Sequence, residues 1–364
     1  MQNPPHILLI GEAPLPYGGI ATHCVRLLAW LRAQGWRARL MHLPSFWLTQ
    51  PAVPDPDLFV CRNGLPQLLH ALWREQPDLV HQHVYRWRVP LALAAYNRLR
   101  QQRNLPRVRA VATIHGESFF ATIPPLVRPA VYAALRSYDH ILADNPLLLQ
   151  RVRNEVGVPA QRVSQLGAFL PPGPSERDPS QLPADVLEFA KAHQPLVAGN
   201  GAVASFRGED KYGIDLVLLA IDELRKRWPD IGLVFSITDV QDAARMTGLE
   251  QLIAQRNLAP SVRFVRELPS LLPVLGMAAA SVRATNTDGD ALSVHESLMM
   301  GTPVVASDVV VRPPLCERFA NRDAADLARV LAATIEKGRV DPAQAAQVAH
   351  IGADLLAVYR RVLA

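Results

Sequence analysis

Short apolar runs alternate along this chain with longer segments in which apolar residues recur every three to four positions. Continuous runs such as residues 6–10 and 110–114 are typical of strands that are buried on both faces of a parallel sheet. Segments such as residues 214–227 have the periodicity of an amphipathic helix. Strands that alternate with helices in this way predict an α/β fold built on parallel sheets.

The pattern forms two successive series of elements, separated by a proline-rich stretch. The first series predicts strands at residues 6–10, 37–42, 57–61, 78–83, 110–116, 139–143 and 163–166, and helices at 20–33, 64–74, 89–99 and 146–155. The second predicts strands at 195–201, 233–237, 262–265, 282–285 and 303–306, and helices at 214–227, 268–280, 291–300, 323–337 and 343–363. We therefore expect one domain at residues 1–170, a linker at 171–184, a second domain at 185–343 and a terminal helix at 344–364.

Composition agrees with two packed domains. The chain has 364 residues, of which 49% are hydrophobic, and this length suits two cores better than one. No apolar run approaches the roughly 18 residues of a membrane span, and the first residues lack the features of a signal peptide. We expect a cytoplasmic protein. Its three cysteines, Cys24, Cys61 and Cys316, have no metal-binding spacing and are expected to be reduced thiols.

Charge is distributed unevenly along the chain. Residues 1–170 hold 18 arginines, no lysine and nine acidic residues, which leaves a net charge of +9. Because the whole chain has a formal charge of +5, the remainder carries −4. This asymmetry suggests a polyanionic partner for the first half, such as a nucleic acid, an anionic lipid or a lipid-linked pyrophosphate. A bias towards arginine over lysine accounts for the residue type but leaves the asymmetry of sign unexplained.

The densest basic segment lies between residues 85 and 109. It contains seven arginines together with Tyr85 and Trp87. Such a segment is typical of a membrane-surface or acceptor-phosphate patch. A solvated helix face is an equally good interpretation.

The most informative stretch is residues 281–312, which predicts a strand, an acidic glycine turn, a helix and a second strand. In an open α/β sheet, ligands bind beyond the carboxyl ends of the strands, so the turn and the helix start at residues 288–292 are expected to offer backbone amides to a phosphate or a sugar. Glu296 lies further along the same helix. The alternative is structural, because Ser293 and Glu296 have the spacing of a capping box and acidic residues suit any helix N-terminus.

The spacing of Asp288 and Glu296, followed by Gly-Thr-Pro-Val-Val-Ala-Ser at 301–307, resembles the family 4 glycosyltransferases. The resemblance implies the GT-B fold, in which two Rossmann-like domains face a cleft and a C-terminal helix crosses back onto the first domain. It also implies retaining transfer from a nucleotide-diphosphate sugar, with no cofactor and no required metal. Asp288 and the loop amides would hold the donor sugar, and Glu296 the ribose. The donor-binding residues of this segment would be Asp288, Gly289, Asp290, Ala291, Leu292, Ser293 and Glu296.

This chain departs from the commoner family pattern at two places in that segment. Asp288 stands where glutamate is usual, and Asp-Ala-Leu-Ser at 290–293 stands where Phe-Gly-Leu-Pro is usual.

A second part of the resemblance lies at residues 205–213, between a glycine-containing strand and a helix. Arg207 and Lys211 are similar in order to the family's Arg and Lys-Gly residues that bind the donor diphosphate. The sequence here is Lys211-Tyr212-Gly213, one residue longer than the usual Lys-Gly. Arginine binds phosphate oxygens with two nitrogens and lysine supplies a point charge, so both would stabilise the departing diphosphate. The alternative is that both are surface charges on a loop.

The first domain contributes the remaining candidates. Gly18 and Gly19 resemble the family's loop after the first strand and would contact donor or acceptor; the alternative is a tight turn. His115 ends a predicted strand and would reach the donor sugar or its reacting region, although a structural histidine is the other interpretation. Glu117, in the same loop, would touch the acceptor. His81 and His83 alternate on one strand, but no carboxylate or cysteine supports a metal pair there.

We therefore expect a retaining hexosyltransferase that moves a sugar from a nucleotide sugar to a hydroxyl of a glycan or a lipid-linked acceptor. Its expected setting is bacterial surface polysaccharide or glycolipid synthesis, at the inner face of the cytoplasmic membrane, without a nucleic-acid partner. Two alternatives stay open. One is a GT-B nucleotide-sugar epimerase, and the other is a non-catalytic GT-B protein that binds a carbohydrate or a partner.

Overall fold

The computed structural model describes residues 4–14, 17–44, 55–61, 64–83, 86–116, 118–341 and 351–364. The chain divides into two compact units. The first unit is Met1–Leu170 together with His350–Ala364, and the second is Pro171–Ala349.

Most strands follow the continuous apolar runs of the sequence. In chain order they are β1 His6–Gly11, β2 Arg37–His42, β3 Leu58–Val60, β4 Leu79–Gln82, β5 Arg109–Ile114, β6 His140–Ala143, β7 Val163–Gln165, β8 Leu196–Val203, β9 Ser205–Phe206, β10 Glu209–Asp210, β11 Gly232–Val240, β12 Val262–Arg266, β13 Ala280–Arg283, β14 Val304–Ser307 and β15 Cys316–Phe319.

The α-helices lie between these strands. They are α1 Gly19–Ala33, α2 Leu65–Glu75, α3 Arg88–Gln102, α4 Ser118–Ala121, α5 Arg128–Arg136, α6 Pro146–Arg151, α7 Ala184–Ala192, α8 Ile214–Leu224, α9 Ala243–Gln255, α10 Leu272–Met277, α11 Leu292–Met299, α12 Ala324–Lys337 and the terminal helix α13 Gly352–Leu363. A π-helical turn, Val152–Val156, continues α6.

The first unit is built on a seven-stranded parallel sheet in the order β3-β2-β1-β4-β5-β6-β7. The strand order reverses between β1 and β4, so the carboxyl ends of these two strands open a crevice. The backbone amide of His83, just after β4, donates to the carbonyl of Ile10 in β1. The loops that follow β1 and β4 are therefore held side by side at this crevice.

The terminal helix belongs to the first unit, as the resemblance implied. Leu355 and Tyr359 are fully buried in one core with residues of β1 and α1. The helix begins close against α1, because a Cβ added at Gly352 would lie 2.4 Å from the Trp30 ring. The part of the predicted helix at residues 342–350 lies outside the described residues.

The second unit is built on a six-stranded parallel sheet in the order β12-β11-β8-β13-β14-β15. Here the order reverses between β8 and β13. Asn200 lies in the second half of β8, and β13 leads into the acidic loop at residues 284–291. The two parallel sheets with their helices confirm the predicted α/β class.

Two elements of the second unit differ from the prediction. The helix expected at residues 268–280 is confined to Leu272–Met277, because proline suits only the first turn of a helix and Pro273 therefore fixes the start of α10. The residues expected to form a glycine-rich loop at 205–210 instead form a β-hairpin, β9–β10. Arg207 and Gly208 make its turn with φ of 53° and 83°, as a two-residue hairpin turn requires.

Gly213 is the residue on which the junction between the hairpin and α8 depends. It has a φ of 64°, and a Cβ at this position would lie 2.1 Å from the carbonyl oxygen of Ala284. We predict that Gly213→Ala lowers the free energy of unfolding by at least about 2 kcal/mol, because it adds both backbone strain and a clash with backbone. Urea unfolding followed by circular dichroism measures this change.

Gly248→Ala in α9 is the matched control. A Cβ there meets no atom within 4 Å, and alanine is preferred within a helix by roughly 0.5–1 kcal/mol. We expect this variant to be as stable as the wild type or more so. Equal stability of Gly213→Ala and Gly248→Ala would show that the close contact between residue 213 and the Ala284 carbonyl does not require glycine.

Candidate functional site

The acidic loop at residues 284–291 is held by an ion cluster around Asp288. The Asp288 carboxylate accepts hydrogen bonds from Arg283 Nη2 at 2.8 Å and Nε at 3.1 Å, and from Arg312 Nη1 at 2.8 Å. Thr285 Oγ1 donates to the same carboxylate at 3.1 Å. The side chains of Asp288 and Arg312 are only 6% and 2% exposed. Burial alone would raise the pKa of Asp288, but Arg283 and Arg312 hold this pKa well below its ordinary value, so the group stays ionised.

These contacts use the carboxylate of Asp288 almost completely. Three of the four donors named above bond to Oδ2, and only Arg283 Nη2 bonds to Oδ1. Arg312 also donates to the Ser307 carbonyl at 3.1 Å, and Ser307 Oγ donates to the Thr285 carbonyl at 2.5 Å. Asp288 therefore anchors the loop to the ends of β13 and β14, and its Oδ1 keeps the capacity to accept one further hydrogen bond.

The far end of the loop is anchored to α11. Asp290 pairs with His295, which lies in the first half of that helix. Ala291 is the N-cap residue, Leu292 begins the helix, and no side chain caps it. Ser293 is therefore inside the helix, and the alternative of a capping box formed by Ser293 and Glu296 is wrong. Gly289 lies two residues before this N-cap.

Glu296 lies more than one turn into α11. Its side chain is buried, as are most of its neighbours in that helix. The Glu296 carboxylate therefore belongs to the helix that directly follows the acidic loop.

The hairpin β9–β10 brings one of the two predicted cations to the loop. The backbone amide of Asn286 donates to the carbonyl of Lys211 at 3.0 Å, so Lys211 lies directly beside the loop. Arg207 is instead at the exposed tip of the hairpin, where its guanidinium lies over the Phe206 ring. Buried Asp210 accepts hydrogen bonds from the amides of Tyr212 and Asp215 and fixes the turn into α8.

The extra residue in Lys211-Tyr212-Gly213 has a structural role. A Cβ added at Gly201 would lie 2.5 Å from the Tyr212 ring, so this ring packs directly on the end of β8. The Arg283 guanidinium lies 5.3 Å from the centre of the same ring. Tyr212 thus joins the hairpin to the ion cluster.

A cavity lies next to this cluster, between α11 and the strands β8 and β13. Its polar lining includes Asn200, Ser281, Arg283, Ser293 and Ser297. The cavity is at the point where the strand order of the second sheet reverses, which is where open α/β sheets bind ligands. Ser293 is the predicted site residue that lines it.

In the first unit, Gly18 and Gly19 lie at the N-terminus of α1. Gly18 is the N-cap residue, and no side chain caps this helix. A Cβ at either glycine would meet no atom of the described residues within 4 Å. This arrangement suits the approach of an anionic group to the helix N-terminus.

His115 follows β5 and belongs to a cluster of buried histidines. Its Nε2 lies 3.2 Å from Nδ1 of His83, and its ring centre is 5.3 Å from that of His23. His23 is oriented by Nδ1, which donates to the Ala168 carbonyl at 2.7 Å. Burial lowers the pKa of all three imidazoles, so they are neutral at ordinary pH. Glu117 lies outside the described residues.

The same three histidines are the candidates for holding a metal. One nitrogen from each of His23, His83 and His115 lies within 4.8 Å of the others. His81 is not available, because its nitrogens bond to Tyr359 and Thr113. The expectation that no metal is required stays a prediction.

Sequence reasoning did not single out Arg283, Arg312 or His23. A signal for the two arginines was present in part, because Arg283 lies in the predicted strand just before the acidic turn and Arg312 lies in the segment after the next predicted strand. Their joint contact with Asp288 depends on the pairing of β13 with β14, which no linear spacing reveals.

Buried histidines make the stability of the first unit sensitive to acid. The pKa values of His23, His42 and His140 are lowered to about 4, mainly by burial, with Arg86 beside His42 and Arg361 beside His140 lowering them further. An unfolded histidine has a pKa of about 6.5, so the unfolded state binds more protons between these values. Each such histidine contributes stability that is complete above about pH 6.5 and falls by up to about 1.4 kcal/mol per pH unit towards pH 4.

We therefore predict that the free energy of unfolding of the first unit decreases steeply from pH 6.5 to pH 4. Urea titrations across this range measure the slope, and His42→Gln should make it shallower. His70→Gln, which changes an exposed histidine of α2, is the matched control and should leave the slope unchanged. A flat profile in the wild type would contradict the assignment of these imidazoles as neutral.

Comparisons with known proteins agree with this architecture. The family model described as "Glycosyl transferase 4-like domain" matches residues 18–168, and the one described as "Glycosyl transferases group 1" matches residues 180–337. Together they take in most of the chain. A search of curated proteins by sequence gave no match.

Solved structures of low sequence identity have the same fold. The Anabaena protein HepE, in complex with UDP and glucose, has a TM-score of 0.69 at 14% identity, with 98% of each chain covered. Sucrose-phosphate synthase from Thermosynechococcus elongatus has a TM-score of 0.64 at 19% identity, with 97% of this chain and 99% of that chain covered. The lipopolysaccharide outer core galactosyltransferase WaaB has a TM-score of 0.57 at 13% identity, with 93% of each chain covered. These likenesses establish the GT-B fold, and with the two matching domain families they lead to one conclusion: the chain belongs to the glycosyltransferases of the GT-B fold.

Proposed function

We propose that this protein transfers a hexosyl group, with retention of configuration, from a nucleotide-diphosphate sugar to a hydroxyl of a glycan or a lipid-linked acceptor. The second unit holds the donor, and the first unit holds the acceptor. The observation that carries the proposal is the loop at residues 284–291. It is anchored at both ends beside an uncapped helix N-terminus, at the carboxyl ends of β8 and β13.

In this proposal the backbone amides of Gly289 to Ser293 donate hydrogen bonds to the donor sugar and its phosphates. The fixed loop keeps these donors in place before the ligand arrives, which is how polar groups stabilise developing charge most effectively. Asp288 and Asp290 hold the loop through Arg283, Arg312 and His295. Glu296 accepts hydrogen bonds from the ribose hydroxyls.

The charge that develops on the leaving diphosphate is stabilised by cations of the chain. The hydrogen bond from the Asn286 amide to the Lys211 carbonyl keeps Lys211 beside the loop, which supports this role. Arg207 takes part when the hairpin tip lies over the phosphates. The departing phosphate oxygen accepts the proton of the acceptor hydroxyl, so that no separate general base is required and no metal ion takes part.

The first unit supplies the acceptor side. His115 meets the reacting region as a neutral imidazole, and Gly18 and Gly19 leave room in front of α1 for an anionic group of the acceptor or the donor. A pyrophosphate-linked lipid acceptor would match both the open helix N-terminus and the net charge of +9 in residues 1–170.

Two structural neighbours support a more specific proposal. HepE was solved with UDP and glucose, and WaaB is named as a galactosyltransferase of the lipopolysaccharide outer core. We infer that the donor is a UDP-sugar and that the product belongs to a bacterial surface polysaccharide or glycolipid. A nucleotide-sugar epimerase and a non-catalytic carbohydrate-binding protein are the alternatives.

Incubation of the protein with UDP-sugars in the absence of acceptor separates these three functions. Slow release of UDP supports transfer, because water then replaces the acceptor. Interconversion of the intact nucleotide sugar supports epimerisation. Retained binding without either reaction supports a non-catalytic role.

Glu296 provides the test of the donor site itself. We predict that Glu296→Gln lowers the affinity for UDP by about tenfold or more, because a hydrogen bond to a charged group is worth roughly 1.5–3 kcal/mol. Isothermal titration calorimetry measures the affinity, and thermal unfolding checks the fold. Glu250→Gln, on the exposed face of α9, is the matched control. A fall in melting temperature with unchanged UDP affinity would mean that Glu296 only supports α11.

The packing of the basic segment leaves fewer of its arginines available for the predicted membrane contact. Arg107 and Arg109 pair with Asp139, and Arg86 lies 3.9 Å from Glu12, so these three charges are engaged within the protein. Tyr85 lies outside the described residues. No helix in the described part of the chain is long and apolar enough to cross a membrane. Contact with a membrane would then depend on exposed apolar side chains as well as on charge.

Leu126 and Leu147 are the best candidates for that contact. They are 96% and 67% exposed and lie in segments that follow β5 and β6, at the carboxyl edge of the first sheet. We predict that the protein binds anionic liposomes more strongly than neutral ones, that salt weakens this binding, and that Leu126→Ser reduces it severalfold. Cosedimentation measures the bound fraction. Val311→Ser, at an 89% exposed position of the second unit, is the control, and equal loss in both variants would rule out a specific contact through Leu126.

A further inference from the structure

The ion cluster around Asp288 carries an excess of one positive charge. Two guanidinium groups, of Arg283 and Arg312, share a single carboxylate, and all three side chains are buried or nearly so. An arginine buried without a full counter-charge is costly, unless another anion completes the pairing. Among the described residues, the cluster therefore has room for one more anionic group before its charges balance.

The two arginines differ in how many of their donors are used. Arg312 donates from all three nitrogens, to Asp288 and to the carbonyl and hydroxyl of Ser307. Arg283 donates from Nε and Nη2 to Asp288, but among the described residues its Nη1 meets only the Asn200 carbonyl at 3.5 Å, the outer limit of a hydrogen bond. Arg312 is thus a positioning residue, and Arg283 has donor capacity left.

Arg283 also lines the cavity beside α11. The other polar residues of the lining are uncharged, namely Asn200, Ser281, Ser293 and Ser297, and the rest of the lining is apolar. The N-terminus of α11 starts at the same cavity, because Ser293 is the second residue of that helix. A guanidinium with a free edge, small polar side chains and a helix N-terminus form a site for oxygen anions.

We propose that Arg283 binds an anionic oxygen group of the donor. The group is either a donor phosphate or a carboxylate on the sugar, as in a nucleotide uronate. The inference rests on the proposed function in taking a nucleotide sugar as the ligand. It adds to that function a residue that contacts the donor directly and a preference for negative charge at the cavity between α11 and β13.

The experiment uses probes that carry no nucleobase, so that it does not depend on the identity of the nucleotide. Inorganic pyrophosphate, glucose 1-phosphate and glucuronate 1-phosphate are titrated by calorimetry into the full-length wild type and three variants. Arg283→Gln removes the proposed contact. Asp288→Asn increases the excess positive charge. Arg329→Gln removes one charge from an exposed position of α12 and is the matched control.

We expect Arg283→Gln to weaken the binding of at least one probe by about tenfold, as for the loss of a charged hydrogen bond. Loss with pyrophosphate identifies a phosphate as the partner. Loss confined to glucuronate 1-phosphate, with glucose 1-phosphate unaffected, identifies a sugar carboxylate. Asp288→Asn should bind the affected probe as well as the wild type does or better, and Arg329→Gln should match the wild type.

Equal weakening in Arg283→Gln and Asp288→Asn would overturn the proposal, since it would show that the cluster only supports the loop. Unchanged affinities in Arg283→Gln, or no binding of any probe by the wild type, would also overturn it. If Arg283→Gln fails to fold, Arg283→Lys keeps the charge but loses the second nitrogen, and affinities equal to the wild type would count against the contact. None of these titrations measures turnover, so absence of glycosyl transfer would leave their outcome unaffected.

Discussion

The buried carboxylate of Asp288 is the constraint on which the second unit's site depends. A lone carboxylate at this depth would be unstable in its charged form, and the two arginines keep it ionised. Because Arg283 ends β13 and Arg312 follows β14, their shared partner ties two strand ends and the start of α11 into one rigid group. The loop amides are thereby fixed before any ligand arrives. Such preorganisation is what allows backbone dipoles to stabilise charge in a transition state.

The two units use the same sheet architecture with different chemistry at the crevice. In the second unit the crevice between β8 and β13 is charged, and its ions are neutralised mostly by each other. In the first unit the crevice between β1 and β4 holds buried imidazoles, which avoid the cost of burial by staying neutral. A neutral cluster favours contact with polar, uncharged groups such as sugar hydroxyls. A cluster with excess positive charge favours the phosphates of a donor.

The sequence was most informative where burial dictates residue type. Parallel strands buried on both faces read as continuous apolar runs, which is why β1, β5, β8 and β14 could be predicted. β15 was not predicted because its four residues place charged Glu317 and Arg318 between buried Cys316 and Phe319, so no continuous apolar run marks the strand. The motif residues of the acidic loop were found by spacing. Their contacts were not, because the partners of Asp288 come from strands that meet only in the folded sheet. The hairpin turn at Arg207 and Gly208 was predicted as a loop for a related reason: its two-residue strands are too short to show an alternating pattern.

Amide hydrogen exchange of the full-length protein, with and without saturating UDP-sugar, tests most directly whether the anchored loop is the donor site. We predict slow exchange of the amides near the anchors of the loop in both states, and additional protection on binding that is concentrated in residues 289–293. Protection of these amides without change in the hairpin at 205–210 would still support the site and would remove Arg207 from it. Binding that protects other segments and leaves residues 289–293 unchanged would contradict the placement of the donor at this loop.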